Sequence, residues 1–555
     1  MSADVAALFD CLTTDLCIAG LKEVTDWDSI PPDASLRQVR AFSLQASIFK
    51  KYEESDNVPD MQYSRAVLTF LECQQRARQF SLSGNTSKDE ELIGQLKACL
   101  YTFFNPVRDG IQMPLLDWVG LGQGLFPGPG ASINAEGNDF YTKVFESPLS
   151  ASSEKLVRMY ELLSREYTPW REGESLRKYR YGARDEIVRG SHLNVVPKNN
   201  ETGRCTCTEP NINMMFQKSI GRILERRLFE VYGIGLEDQP FKNQALARKG
   251  SIFGTFATID LKAASDSMSQ TLMRALLPAQ AFELMQETAS PAVRIPGLGW
   301  FPSDIFCSMG NGFCFPLQTI LFTCVIHAVV GWHNDTLSAR TEEYGVFGDD
   351  LAVPIRYSRD VCNLLGLLGF TVNMDKSFLE GPFRESCGAD FHVGANVRGI
   401  YLKRLRSQQD YYVAINRLNY WSMITGIQLT TLVCRLMTHV RWLPVPCWES
   451  DDSGIKVPYA VVAHGRPQSR FEQSPLYRYY SVKPRKRSIP VTIDQNPGGA
   501  LVALLAGAIR DGEVTDRVRN PCYTLRWNTA PAWDCPPMVH PRTGWIPWTR
   551  WDTAV

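Results

Sequence analysis

The chain has no excess of either charge: 59 Lys and Arg residues are matched by 59 Asp and Glu. A global field that would draw in nucleic acid is therefore excluded, and any such contact must come from local basic patches. The 15 cysteines lack the closely spaced, paired framework of a small secreted scaffold. Cys205 and Cys207 have neither a second pair nor a His set to complete a zinc site, so reduced thiols are expected. No internal repeat and no long low-complexity segment is present. The stretch from Met1 to Ala19 carries Asp4, Asp10 and Asp15 without a basic region and does not read as a secretory signal. Gly120 to Gly130 is a loop by composition, but no Gly-Lys-Ser/Thr follows, which excludes a phosphate-binding P-loop. One run, Phe313 to Trp332, lacks Asp, Glu, Lys and Arg and is long enough to cross a bilayer. Pro316, Gln318 and His327 inside it, and the absence of a basic flank, favour a buried core helix instead.

What is present begins with size. A chain of 555 residues, 44% hydrophobic and 21% charged, has the composition of a globular protein built from several subdomains. Residues 1 to about 150 read as mainly helical. A helix is expected over 154–166 with Leu156, Met159, Leu162 and Leu163 on one face. Another carries Ile220, Ile223, Leu224 and Leu228 and ends at Gly233. Ser358 is expected to cap a helix ending at Gly369, and 411–443 reads as helical.

The centre of the chain is Tyr344 to Pro354. Apolar residues alternate on either side of Gly348-Asp349-Asp350, the period of two half-buried strands, and Gly348-Asp349 suits a two-residue hairpin turn. Adjacent carboxylates repel unless a proton or cation lies between them, and a hard divalent cation suits their oxygens. An Asp-rich surface turn would have the same local sequence. Upstream, Phe256 to Ile259 reads as a buried strand ending in Asp260. A carboxylate there is costly unless paired or metal-bound. Asp266 follows a small-residue turn. Lys198 and Arg204 flank a polar linker that suits a polyphosphate. Ser308-Met309-Gly310-Asn311-Gly312 is a loop opening the apolar helix, with an amide available for hydrogen bonding. Lys376 follows a short strand, and Gly381 to Gly388 leads into another hairpin. Near the C-terminus, Arg478, Tyr479, Lys483, Arg485, Lys486 and Arg487 mix rings with positive charge, which suits single-stranded nucleic acid. Trp527, Trp533, Trp545, Trp548 and Trp551 follow among prolines.

These motifs, in this order, resemble the catalytic subunit of the RNA-directed RNA polymerase of single-stranded RNA bacteriophages, the levivirus or Qβ-type replicase. The resembling residues are Val196-Pro197-Lys198-Asn199 with Arg204 and Glu209-Pro210, Ala257 to Leu261 with Ala263 to Ser267, Ser308 to Phe313, Gly348-Asp349-Asp350, and Glu380 to Gly388. The resemblance implies an α+β right-hand polymerase with fingers, palm and thumb, the palm an antiparallel sheet backed by helices. It implies a fingers-associated helical region at 1–150, fingers with a basic NTP-binding loop at 151–250, a palm at 251–400, and a thumb with the C-terminal region at 401–555. By motif position, Asp260, Asp349 and Asp350 would hold two Mg²⁺, with Mn²⁺ as a substitute. Asp266 and Asn311 would sense the incoming ribose, Lys198 and Arg204 would meet the triphosphate, and Lys376 would be a general acid for pyrophosphate. The family further implies an RNA template, primer-independent initiation and the cytoplasm of an infected bacterium. Its host partners are the elongation factors Tu and Ts and a ribosomal small-subunit protein, with no membrane. Phe347 departs from the Tyr usual before Gly-Asp-Asp, and Pro316 and Gln318 stand where related chains often carry glutamates. Two other readings stay open on the residues alone. A reverse transcriptase or DNA polymerase would need a bulky residue against the 2′-hydroxyl, and a non-catalytic RNA-binding scaffold would not need Asp349.

Overall fold

The computed structural model describes residues 3–21, 34–53, 58–128, 130–182, 185–199, 202–333, 343–464, 467–469, 474–483, 495–508 and 522–530. The fold is α+β. The helices that hold the core are α1 (Ala3–Ile18), α2 (Leu36–Ser47), α3 (Ser87–Phe104), α4 (Trp118–Gln123), α5 (Glu154–Arg165), α6 (Asn211–Tyr232), α7 (Gln239–Phe253), α8 (Cys314–Trp332), α9 (Ile355–Leu367), α10 (Gln408–Thr425) and α11 (Thr430–Met437). The strands that frame the site and the C-terminal ribbon are β1 (Ser191–Pro197), β2 (Gly203–Thr208), β3 (Phe256–Ile259), β4 (Leu261–Lys262), β5 (Ala292–Ile295), β6 (Gly299–Pro302), β7 (Gly345–Phe347), β8 (Asp350–Pro354), β9 (Thr371–Val372), β10 (Phe383–Ser386), β11 (Ala389–His392), β12 (Leu476–Lys483) and β13 (Cys522–Thr529).

An antiparallel sheet in the order β7-β8-β3 lies at the centre, with Leu351 opposite Ile259 and Phe347 opposite Asp350. β3 is buried along its whole length, as its unbroken Phe-Ala-Thr-Ile run demands. Helices α7, α8 and α9 pack around this sheet, and α8 also meets α3 and α6. The apolar length of α8 is thus covered by protein, which is what its internal Pro316 and Gln318 favoured over a bilayer. A second sheet runs β6-β5-β1-β2, and β10 and β11 form a hairpin beside α7.

The first 150 residues are divided between two cores. Leu92, Leu96 and Leu100 of α3 join the central cluster. Val5, Leu8 and Leu12 of α1 and Leu44 of α2 instead pack with Tyr412, Ile415 and Leu418 of α10 and Leu432 of α11. Asp15 seals this second core: its carboxylate accepts the Thr431 and Leu432 backbone N–H groups, both at 2.9 Å. It thereby caps α11, whose own N-cap residue, Leu429, has no side-chain oxygen to offer.

Several local expectations need correction. Gly120 to Gly124 is not loop: α4 forms because Asp117 accepts the Gly120 N–H at 2.8 Å, and a Cβ at Gly122 would lie 2.4 Å from Leu163. Leu162 points to solvent at 56% exposure, and Tyr160 takes its place in the core. α9 begins at Ile355 behind Pro354, so Ser358 is not its cap; its hydroxyl donates back to the Ile355 carbonyl at 2.8 Å. The 411–443 region is two helices, parted where Gly426 takes φ +69°. The segments on either side of residues 200–201 are paired strands, with Val196 of β1 opposite Arg204 of β2.

Candidate active site

The acidic turn follows from its glycine. Gly348 adopts φ +59°, its N–H donates to Thr319 Oγ1 at 3.1 Å, and a Cβ there would lie 2.4 Å from the Phe315 ring. The turn therefore needs glycine twice over, for conformation and for space. Asp349 stands at its tip and Asp350 opens β8. Continuing the β8–β3 register by one residue sets Asp350 across from Asp260. Phe347, without the hydroxyl of Tyr, packs edge-on against Phe315 at 4.8 Å.

Burial raises the pKa of Asp349, and the nearby Asp260 adds to the shift while Arg204 and Lys198 oppose it. Asp350 is pushed up to about 7 by burial first, then by Asp349, Asp260 and Glu385. These carboxyls are short of positive charge, and a bound divalent cation would reverse that. Asp260, Asp349 and Asp350 supply only hard oxygen donors, which suits Mg²⁺. Among the described residues no three His, Cys, Asp or Glu side chains lie close enough together to hold a metal ion by themselves. A cation held here would take its remaining ligands from water or phosphate, as Mg²⁺ commonly does.

The cations expected at the site are within its electrostatic reach. Loss of hydration lowers the Lys198 pKa, Arg204 and Lys376 lower it further, and Asp260 and Asp349 act in the opposite sense. Lys376 lies in a short 3-10 turn, Met374–Lys376. Asp266 sits in another, Ser265–Ser267, with its Oδ1 buried and unpartnered among the described residues. Burial raises its pKa to about 6, against the pull of Arg204.

The loop around Asn311 is held against its neighbours on two sides. Gly310 takes φ +113°, and a Cβ there would lie 2.1 Å from the Cys207 carbonyl oxygen. The Cys207 N–H donates to Met309 O at 2.7 Å. A Cβ on Gly312 would lie 2.8 Å from the Lys218 backbone nitrogen. The glycines thus clamp the loop onto β2 and α6. Asn311 is held with its Oδ1 accepting the Phe313 N–H at 3.0 Å, leaving Nδ2 without a partner among the described residues.

Sequence reasoning missed the residues that hold this arrangement. Asn373 Nδ2 donates to Asp260 Oδ2 at 2.7 Å, and the Asn373 N–H donates to the Asp260 carbonyl at 2.8 Å. Ser377 Oγ accepts the Asp260 N–H at 3.0 Å. On the far side, Asn243 of α7 donates to the Asp350 carbonyl at 3.0 Å. Arg384 is fully buried with its guanidinium against the carbonyls of Phe256, Glu380, Gly381 and Phe383. The segment after β8 held a usable signal, since an Asn three residues before Lys376 is a polar residue at a strand end.

The basic, aromatic run lies elsewhere, on the ribbon β12–β13. The Arg478 guanidinium lies 5.4 Å from the Trp527 ring centroid, and Tyr479 packs against a small core around Val445 and Tyr477. These two are strand residues engaged in packing, not a free loop. Arg485, Lys486 and Arg487, with Trp533, Trp545, Trp548 and Trp551, lie outside the described residues, as does the side chain of Lys483.

A family model described as RNA replicase, beta-chain matches residues 145–463. The RNA-directed RNA polymerase subunit beta of Escherichia virus Qbeta is 39% identical over 233 residues, which is 42% of this chain and 38% of that protein. The RNA-directed RNA polymerase beta chain of Escherichia phage MS2 is 36% identical over 244 residues, 43% of each chain. The matched stretch thus spans about two fifths of the length of these curated relatives. A crystal structure of the RNA-dependent RNA polymerase of a human picorbirnavirus aligns with 13% identity and a TM-score of 0.39, covering 67% of this chain and 74% of that one. With more than half of its residues inside the family model, the chain belongs to the RNA replicase β-chain family.

Proposed function

We propose that the chain is the polymerase subunit of a single-stranded RNA phage replicase, joining NTPs on an RNA template in infected bacterial cells. The observation that carries this reading is the convergence of Asp260, Asp349 and Asp350 at one end of the central sheet, with Lys198, Arg204 and Lys376 in reach. In this reading the β7-β8-β3 sheet is the palm, 151–250 the fingers and 401–555 the thumb region. Two Mg²⁺ on the aspartates, when bound, would neutralise phosphate charge and activate the 3′-hydroxyl. The protein's own part is positioning and charge. Lys198 and Arg204 hold the triphosphate, Asn311 Nδ2 and Asp266 meet the ribose 2′-hydroxyl, and Lys376 gives a proton to the departing pyrophosphate. Synthesis starts without a primer, with elongation factors Tu and Ts and a ribosomal small-subunit protein as host partners. Support for ribose selection is the unpartnered Nδ2 of Asn311 beside a clamped loop.

The test is RNA-templated incorporation of labelled ribonucleotides by the chain co-purified from a bacterial host, with Asp350→Ala beside it and host extract added to both. Product from the wild type alone supports the reading. Equal product from both, or none from either with extract present, defeats it. Omitting any primer checks the initiation mode, and absolute dependence on an added primer would contradict it.

A further inference from the structure

Two segments far apart in sequence are zipped together beside the site. Ser47 Oγ donates to Ile400 O at 3.2 Å, and the Gly399 N–H donates to Ser43 Oγ at 3.0 Å. The Leu402 N–H donates to Ile48 O and the Glu53 N–H to Lys403 O, each at 2.7 Å. A Cβ on Gly399 would lie 2.1 Å from Ser47 Oγ, so this approach requires glycine. The zipper gathers Lys50, Lys51, Arg398 and Lys403 on one surface. Lys51 Nζ lies 4.3 Å from the Tyr401 ring centroid and the Arg398 guanidinium 5.4 Å from the same ring. Arg398 pairs with Asp390 at 3.0 Å. Among the described residues, Lys50, Lys51, Lys376 and Lys403 have no ion pair.

The cations feel one another. Burial lowers the Lys51 pKa first, and Arg398, Lys403, Lys376 and Lys50 lower it further. Lys376 belongs to this set and to the surroundings of Lys198, so the patch runs on into the acidic site. The carboxylates that face it are Asp390, Glu385 and Asp350. Five cations against three carboxylates, in a chain of zero net charge, is a concentration of like charge that an anion would relieve. In the polymerase reading the triphosphate of a nucleotide would face Lys198 and Arg204. A row of lysines on two segments, leading away from that point, suits a polyanion with several phosphates along its length.

We propose that Lys50, Lys51, Arg398 and Lys403 form a binding site for the phosphodiester backbone of RNA, continuous with Lys376. The proposal rests on the polymerase reading for its ligand. Tyr401 is the platform that holds Lys51 and Arg398 in place through its ring.

Template and product strands share this chemistry, and two RNA probes separate them. The full chain is titrated by fluorescence anisotropy with a labelled single-stranded oligoribonucleotide and with an RNA duplex, across a salt series. The exposed pair Lys50→Ala/Lys403→Ala is expected to weaken binding of at least one probe about tenfold near 0.1 M salt and to lower the slope of log affinity on log salt by about 1.5. Thermal stability and NTP KM should stay near wild type, and Lys51→Gln should act in the same direction. A loss confined to the duplex assigns the patch to paired product, and one confined to the single strand assigns it to unpaired template. Unchanged affinity and slope for both probes overturns the proposal, as does a raised NTP KM with unchanged RNA affinity. A wild type that binds RNA through these lysines, yet makes none in host extract, overturns the polymerase reading and leaves the patch standing.

Discussion

The acidic hairpin β7–β8 and the basic ribbon β12–β13 are both antiparallel strand pairs that carry charged side chains, but they place them differently. On the ribbon most are already engaged. Tyr477 is fully buried with its hydroxyl donating to Glu449 and accepting from Asn528 Nδ2 at 3.1 Å. Tyr523 donates to Asp452 at 2.8 Å, and Arg478 lies over Trp527. On the hairpin, Asp349 and Asp350 have no salt bridge among the described residues, and burial holds their pKa values up. Polar groups satisfied by their own fold stabilise it; polar groups left unsatisfied together are where a ligand gains most.

The sharpest break of this contrast is removal of the acids. Asp349→Ala or Asp260→Ala should lower nucleotide incorporation by more than about a hundredfold while the fold and RNA binding persist. Incorporation within a few-fold of wild type in either variant would place the chemistry elsewhere. Next comes the residue that aims Asp260. Asn373→Ala should raise the Mg²⁺ or Mn²⁺ concentration for half-saturation about tenfold, read by calorimetry without nucleotide, with melting temperature nearly unchanged. A melting-temperature loss with unaltered metal affinity would reduce Asn373 to a structural role.

A smaller effect concerns pH. The Asp350 pKa stands at about 7 and that of Asp266 at about 6, both above the unfolded value of about 3.9. The folded chain therefore binds more protons than the unfolded chain between these limits, and stability falls as pH rises from about 4 to about 7. Melting temperatures in a chelator should show this slope, and Asp350→Asn should flatten its upper part. Mg²⁺ should offset it by favouring the carboxylate form. An equal slope in Asp350→Asn would assign the titration to other groups. The smallest expected effect is on the ribbon: Arg478→Ala should weaken single-stranded RNA binding less than about threefold, since its guanidinium is already stacked. A loss as large as that of the Lys50/Lys403 pair would erase the contrast between the two regions.

The acidic turn was legible because one glycine and a clean alternation of apolar residues specify it locally. β3 was legible for a similar reason, an unbroken apolar run that ends in Asp260. The β1–β2 pairing was not, because Asn194, Thr206 and the cysteines alternate with a weak hydrophobic contrast. α7 passed unnoticed although Gly254 ends it with φ +65°, since its buried face includes Gln239 and Asn243 as well as Leu246. Asn373, Ser377 and Arg384 act through contacts more than a hundred residues away in sequence. The strand pairing of the ribbon was not legible, because its charges masked eight residues of regular pairing.

Asp15 and α11 carry a consequence for how the chain is made. The cap of a helix beginning at Thr430 is synthesised 416 residues before the N–H it will accept. At bacterial elongation rates the apolar side of α1 waits roughly 20–80 s for its partners to leave the ribosome. Until then Val5, Leu8 and Leu12 have only the few apolar residues in and just after α2 to pack against, and they are open to chaperones and to neighbouring nascent chains.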